Sequence, residues 1–292
     1  CFHVSERLSR ELEIPVFHDD QQGTAIVVLA GLLNAAKVVG KKLGDIRLTV
    51  LGAGTAAIAS TKLLIEAGVR AEDTVMVDSK GALYDGRPEM DRYKAEMAKR
   101  TNKTMLRGGI KDALKGADAV VALSKPGPGV ITGKMVSTMA DGAIVFALAN
   151  PDPEILPDEA KKAGARVVAT GGADSPNQVN NSICFPGVFR GLLDVRAKGI
   201  NTPMMLAAAY EIGRFAEGRG LNEDYIVPTM MDTELYPMVA AAVGKAAIDS
   251  GVARTRLSYE EIRESAATRI SKYRKSLQLL MKEGFIAPPP NS

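Results

Sequence analysis

The sequence predicts an α/β fold built on a parallel sheet, and three observations carry the prediction. Short, nearly continuous apolar runs, "IRLTVLG", "DTVMVD", "AVVALS", "GAIVFALANP" and "ARVVATG", alternate with helical patterns, as strands do when a parallel sheet is covered on both faces. The first run passes directly into "GAGTAA", a glycine turn that opens a helix. Beyond Asn180 no strand pattern recurs, and the long segments there have helical spacing. The expected architecture is a doubly wound, Rossmann-like parallel sheet followed by a C-terminal helical part.

Taken in order, a short polar helix around Ser5 to Leu12 comes first, then "GTAIVVLAGLLNAAKVVGKK", an almost wholly apolar helix that must be buried, with Lys41 and Lys42 suiting its C-terminal dipole. "TAAIASTKLLIEAG" is the next helix, closed by Gly68. "KGADAVVALS" reads as a helix end and a strand, and "PDEAKKAG" as a short helix opened by proline. The later helices are "FPGVFRGLLDVRAKG", "PMMLAAAYEIGRFAEG", "ELYPMVAAAVGKAAIDSG" and "YEEIRESAATRISKYRKSLQLLMKEG". In the last, Ile262, Ala266, Ile270, Tyr273, Leu277 and Leu280 share one face, which predicts a docking helix. "APPPNS" is a frayed tail.

Composition narrows the function. With 46% hydrophobic and 24% charged residues, the 292-residue chain has material for a sizeable core or two. The net charge of +3 comes from nearly balanced acids and bases spread along the chain, which argues against a nucleic-acid partner. The longest apolar run, Ala25 to Leu33, is too short to span a bilayer and follows no basic leader, so no membrane partner is expected. Cys1 and Cys184 make neither a disulfide framework nor a metal knuckle, and reduced thiols in a cytoplasmic protein are expected. The chain begins at Cys1 rather than at a methionine, which implies processing or a polypeptide cut before this point.

In "VLGAGTAA", Gly52 permits a tight turn, Gly54 lets backbone approach a pyrophosphate, and small Ala57 allows close helix-to-strand packing, while the helix N-terminus favours negative charge. Asp78 ends the next strand, where a carboxylate can accept both ribose hydroxyls of an adenosine, favouring NAD over NADP. Ser79 and Lys80 can accommodate a 2′-phosphate beside or instead of Asp78, so use of both cofactors stays open.

"HDDQQGT" places Asp19 and Asp20 just before the buried helix. Asp20 can cap that helix, but Asp19 then needs its own partner, and hard carboxylate oxygens suit Mg²⁺ or Mn²⁺. His18 reads as a packing neighbour rather than a ligand. Asn150 ends a strand at the sheet edge where ligands of open α/β sheets bind, and Asn180 and Asn181 precede an apolar "ICFPG". Such amides can hold a carboxylate or hydroxyl without adding charge. Ser124, in "SKPGPGVIT", reaches the same edge but reads as part of a loop.

Together "IPVFHDDQQGTAIVVLAGLLNA", "VLGAGTAA", "VDSKG", "FALANPDPEI", "QVNNSICFPGVFRGLLDVRA" and "PMVAAAVGKAA" closely resemble, in this order, the cofactor half of bacterial and archaeal malic enzymes. The resemblance runs from Cys1 to about Ala253, and it is specific because several motifs keep their order and spacing. It implies oxidative decarboxylation of L-malate to pyruvate and CO₂ with NAD⁺ or NADP⁺ and a divalent metal, for which the residues themselves favour NAD and Mg²⁺ or Mn²⁺. By the same resemblance, Asp20 matches a metal-ligand carboxylate, and Asp19 is its neighbour that orients the metal shell and a catalytic lysine. Asn150 and Asn181 match residues that bind malate, with Asn180 beside them. Gly52, Gly54, Ala57, Asp78, Ser79 and Asn150 fall among the dinucleotide contacts, and Thr24 approaches the cofactor from the interdomain side.

Family members carry a catalytic tyrosine, a catalytic lysine and an adjacent Glu-Asp pair ahead of the matching segment. None of these is in this sequence, and Lys37, Lys41 and Lys42 sit on the wrong helix to substitute. The expected division is 1–20 as the end of a substrate-domain segment, 21–180 as the dinucleotide-binding domain, 181–252 as helices returning to the substrate domain, and 253–292 as a C-terminal helix and tail. The chain is expected to bind a dinucleotide without turning malate over alone, and to form a homodimer or higher homo-oligomer. Two alternatives are a non-catalytic dinucleotide-binding module and another Rossmann dehydrogenase, such as one acting on amino acids; "HDDQQGT" argues against the second.

Overall fold

The computed structural model describes residues 2–173 and 175–288. Cys1 and the last four residues of the tail, on which a reduced thiol and a frayed end are expected, lie outside the described residues. The first helix, α1 (Phe2–Glu11), buries none of its residues and is held from outside, by Phe2 against Tyr93 with ring centroids 4.5 Å apart and by Glu6 paired with Arg92 at 2.7 Å. A wide helical turn, Asp19–Gly23, then leads into α2 (Thr24–Val38).

Helix α2 is apolar all round because it is enclosed all round, with Ala25 to Leu32 buried without a break. Its Asn34 is also fully buried, and the amide Nδ2 donates to the carbonyls of Gly213 at 3.0 Å and Ile226 at 2.9 Å. That polar residue ties the helix to the C-terminal part of the chain. The helix ends at Val38, before the expected Lys41 and Lys42, and Lys41 beyond it pairs with Asp118 at 2.7 Å.

The sheet follows as β1 (Leu48–Leu51), α3 (Thr55–Glu66), β2 (Thr74–Asp78), β3 (Gly81–Ala82), α4 (Arg92–Arg100), α5 (Ile110–Leu114), β4 (Ala119–Ala122), α6 (Gly133–Val136), β5 (Ile144–Ala147), α7 (Pro157–Lys162) and β6 (Val167–Thr170). The spatial order is β3-β2-β1-β4-β5-β6, parallel except for β3. Alternate residues of each strand enter opposite cores. Val50, Val121, Phe146 and Ala169 pack with Ile26 and Leu29 on one face, while Val120, Val145 and Val168 pack with Leu114, Ile131 and Val136 on the other. The order reverses between β1 and β4, which opens a crevice at their carboxyl ends.

The first core continues without a break into α8 (Phe185–Asp194), α9 (Thr202–Gly218), α10 (Leu235–Asp249) and α11 (Tyr259–Lys282), through Val188, Ile212, Val239 and Ile262. Ser258 and Glu261 form a capping box that starts α11. Only Ile262 and Ala266 of its apolar face are buried; Tyr273 is 76% exposed and Leu277 45%. The expected docking helix is therefore corrected beyond its second turn. Helical spacing determines which residues share a face, not whether anything covers that face. Among the described residues no helix is long and apolar enough to cross a membrane.

Candidate functional site

The chemistry-bearing residues line the carboxyl edge of the sheet. At the end of β1, Gly52 has φ +119°, and a Cβ there would overlap the carbonyl oxygen of Leu123 at the end of β4. Gly54, at φ −82°, has nothing within 4 Å of the place a Cβ would occupy, so its outer side is open to a ligand. Ala57 is fully buried beneath the turn. No side chain caps α3, whose first N–H groups face the open crevice edge unpaired by any cap.

Asp78 stands at the end of β2, but its carboxylate is already engaged. Oδ1 accepts from Arg87 Nη1 at 2.9 Å and from the Lys80 N–H at 2.9 Å, while Oδ2 accepts from Arg87 Nη2 at 2.5 Å and from Lys94 Nζ at 2.9 Å. The side chains of Asp78 and Arg87 are each 7% exposed. Burial alone would raise the Asp78 carboxyl, but the bonds from Arg87, Lys94 and Lys80 outweigh it and hold the group well below the usual carboxylate range. This corrects the expectation that Asp78 offers free lone pairs to two ribose hydroxyls. The ground for favouring NAD is weakened accordingly. Ser79 and Lys80 are exposed beside the pair, and Lys80 is bonded to Glu89.

Across the crevice the amides converge. Asn150 is exposed just past β5, and its side chain lies over Gly171, where a Cβ would stand 2.9 Å from Asn150 Nδ2. Asn180 Nδ2 reaches the Gly171 carbonyl at 3.4 Å, and its Oδ1 accepts the Ser182 N–H at 2.9 Å. Asn181 Nδ2 donates to Asp19 Oδ2 at 2.5 Å, so residues 162 positions apart meet at the start of α2, next to Thr24. Neither aspartate caps the helical turn. His18 is the cap residue, and its N–H donates to Gln22 Oε1 at 2.8 Å, which removes the capping reading of Asp20.

Asp19 Oδ1 is buried without a hydrogen-bond partner, and Asp20 is exposed. Burial, reinforced by the Asp20 charge, pushes the Asp19 carboxyl up, against the opposing Asn181 bond. Burial also pushes the neighbouring Cys184 thiol well up, which keeps it protonated and unreactive. No group of three or more His, Cys, Asp or Glu side chains assembles among the described residues, so Asp19 and Asp20 supply at most part of a cation shell.

Gly23 sets this corner. A Cβ there would collide with Asp19 Oδ1 and stand 3.1 Å from Asn181 Cβ. Gly23→Ala is expected to break the Asp19–Asn181 bond and to cost about 1–3 kcal/mol, read from the urea midpoint. An unchanged midpoint would show that Asp19 is not held in this place.

Residues 21–248 match the family model described as "Malic enzyme, NAD binding domain". The chain belongs to the malic enzyme family. It is 50% identical over 265 residues to the bifunctional malic/malolactic enzyme of Bacillus subtilis, covering 90% of this chain and 64% of that protein. It is 46% identical over 269 residues to the NADP-dependent malic enzyme of Halomonas elongata, covering 87% and 62%. The crystal structure of Entamoeba histolytica malic enzyme superimposes with a TM-score of 0.97 at 43% identity, over 99% of this chain and 61% of that one. This malic-enzyme chain thus spans less than two thirds of the length of these relatives. The family resemblance and the Rossmann-like fold expected from the motifs are both borne out.

Arg87 and Lys94 were not foreseen as site residues. They lie 9 and 16 positions beyond Asp78, with no motif spacing to mark them, and are returned to it by the short antiparallel β3 and the start of α4.

Proposed function

We propose that this chain is the dinucleotide-binding part of an enzyme that oxidatively decarboxylates L-malate to pyruvate and CO₂ with NAD⁺ or NADP⁺ and Mg²⁺ or Mn²⁺. The observation that carries the reading is that the glycine turn follows β1, Asn150 and Asn180 meet at Gly171 beyond β5 and β6, and Asn181, the next residue, is bonded to Asp19 at the start of α2. The open side of Gly54 and the α3 N-terminus receive the pyrophosphate. Lys94, gathered by Asp78, and the exposed Ser79 and Lys80 set a rim beside the adenosine ribose that admits a 2′-phosphate, so NADP is taken as well as NAD.

Asn150 and Asn181 donate their amides to malate, with Asn180 beside them, and Asp19 orients Asn181 through the 2.5 Å bond. The orphaned Oδ1 of Asp19 and the exposed carboxylate of Asp20 fit part of a Mg²⁺ or Mn²⁺ shell. When bound, that ion supplies Lewis-acid polarisation of the substrate oxygens and a sink for the electrons of the cleaved C–C bond. The helices after residue 180 complete a substrate domain, and the uncovered second half of α11 supports a homodimer or higher homo-oligomer.

The test is titration of the chain with NADH and NADPH by fluorescence. Both are expected to bind, and Lys94→Ala is expected to weaken NADPH about tenfold, equivalent to about 1.4 kcal/mol, while leaving NADH nearly unchanged. No saturable binding of either dinucleotide would overturn the proposal.

A further inference from the structure

Glu154 is fully buried, yet among the described residues it forms no ion pair. Its Oε1 accepts the N–H of Ser124 at 2.8 Å and the Ser124 hydroxyl at 3.0 Å, and its Oε2 accepts the N–H of Ala149 at 3.1 Å. Ser124 begins the loop after β4, and Ala149 immediately precedes Asn150 in the turn after β5. The same two loops are joined twice more through backbone, from Ile131 N–H to the Glu154 carbonyl at 3.1 Å and from Gly127 N–H to the Asp152 carbonyl at 3.0 Å. On the far side of Ser124, the Leu123 carbonyl lies against Gly52. Contacts therefore run without a gap from the glycine turn through Leu123, Ser124, Glu154 and Ala149 to Asn150, across the reversal point of the sheet.

A buried carboxylate with no cation carries a high desolvation cost, which its three donors offset because charge-assisted bonds are short and directional. A neutral glutamine of the same size cannot replace it. One end of its amide would face an N–H with another N–H. We propose that Glu154 is a positioning residue that couples the glycine turn to Asn150, so that a dinucleotide bound at the turn also fixes the amide that faces the substrate. This inference rests on the dinucleotide reading of the turn, although the clamp itself does not.

The experiment is hydrogen–deuterium exchange on the chain, with and without NADH, comparing wild type, Glu154→Gln and Ser124→Ala. Without ligand, Glu154→Gln is expected to speed exchange about tenfold in segments 121–128 and 146–150 together, leaving α9 and α10 unchanged. Ser124→Ala removes a single donor and is expected to show the same paired rise in weaker form, which decides the matter if Glu154→Gln does not fold. With NADH, wild type is expected to gain protection at both 51–58 and 146–150. Glu154→Gln should keep the first and lose the second, a split that general loosening would not produce. Unchanged exchange at 146–150 in both variants, or NADH protection there equal to wild type, overturns the inference. Absence of any NADH protection in wild type overturns the dinucleotide reading instead, and the ligand-free arm then decides the clamp alone.

Discussion

Gly52→Ala is expected to abolish dinucleotide binding and to lower the unfolding free energy by about 3 kcal/mol or more. Two costs combine. At φ +119° an L-residue is strained, and its Cβ would overlap the Leu123 carbonyl, which is rigid backbone held by the Leu123 N–H bond to Leu51 at 2.8 Å. Relief requires moving the end of β1 or β4, and those ends are the walls of the crevice. Gly54→Ala is the informative contrast, because φ −82° is ordinary and the Cβ would meet nothing. Its stability is expected to stay within about 0.5 kcal/mol of wild type while NADH affinity falls, since the new methyl occupies the side a pyrophosphate approaches. Urea denaturation together with NADH titration separates the two. Equal loss of stability in both variants would show that the turn is only a packing feature.

Asp78→Asn is the second large effect, with an expected loss of about 3–5 kcal/mol, the range for removing one partner of a buried ion pair. The substitution leaves Arg87, 7% exposed, facing a neutral amide, and removes the acceptor that Lys94 shares. The pH dependence has a definite sign. The folded carboxyl lies below its unfolded value of about 3.9, so the pair's contribution is complete above that pH and is lost as pH falls toward the depressed folded value. Chemical denaturation from pH 6 downward is expected to show a steeper acid loss for wild type than for Asp78→Asn below about pH 4. Parallel curves would sink the assignment of Asp78 as a structural anion.

Much of the site was legible as types and places. The G-x-G-x-x-A pattern works because each position answers a local demand, a positive φ at Gly52, an open side at Gly54 and a buried methyl at Ala57. Asp19 and Asn181 could be named singly from sequence but not joined, since 162 positions separate them. Asp78 could be read as a strand-end carboxylate, yet what saturates it, Arg87 and Lys94, depends on where β3 and α4 turn the chain. Glu154 sits four positions after Asn150 and carries no periodicity, so its role is visible only once two loops face each other.

By itself the sequence determined the α/β class, the five parallel strands, the glycine turn and the family, because these follow from short-range periodicity, φ requirements and the order of motifs along the chain, whereas β3, α4 and α6 are too short or too polar to show a pattern. Tertiary structure alone decided which polar groups are already taken. It engaged Asp78, left one oxygen of Asp19 without a partner, buried Glu154 between two loops and left the second half of α11 uncovered. A side chain's pattern states what it can bond, whereas its unsatisfied valence depends on neighbours delivered from far along the chain.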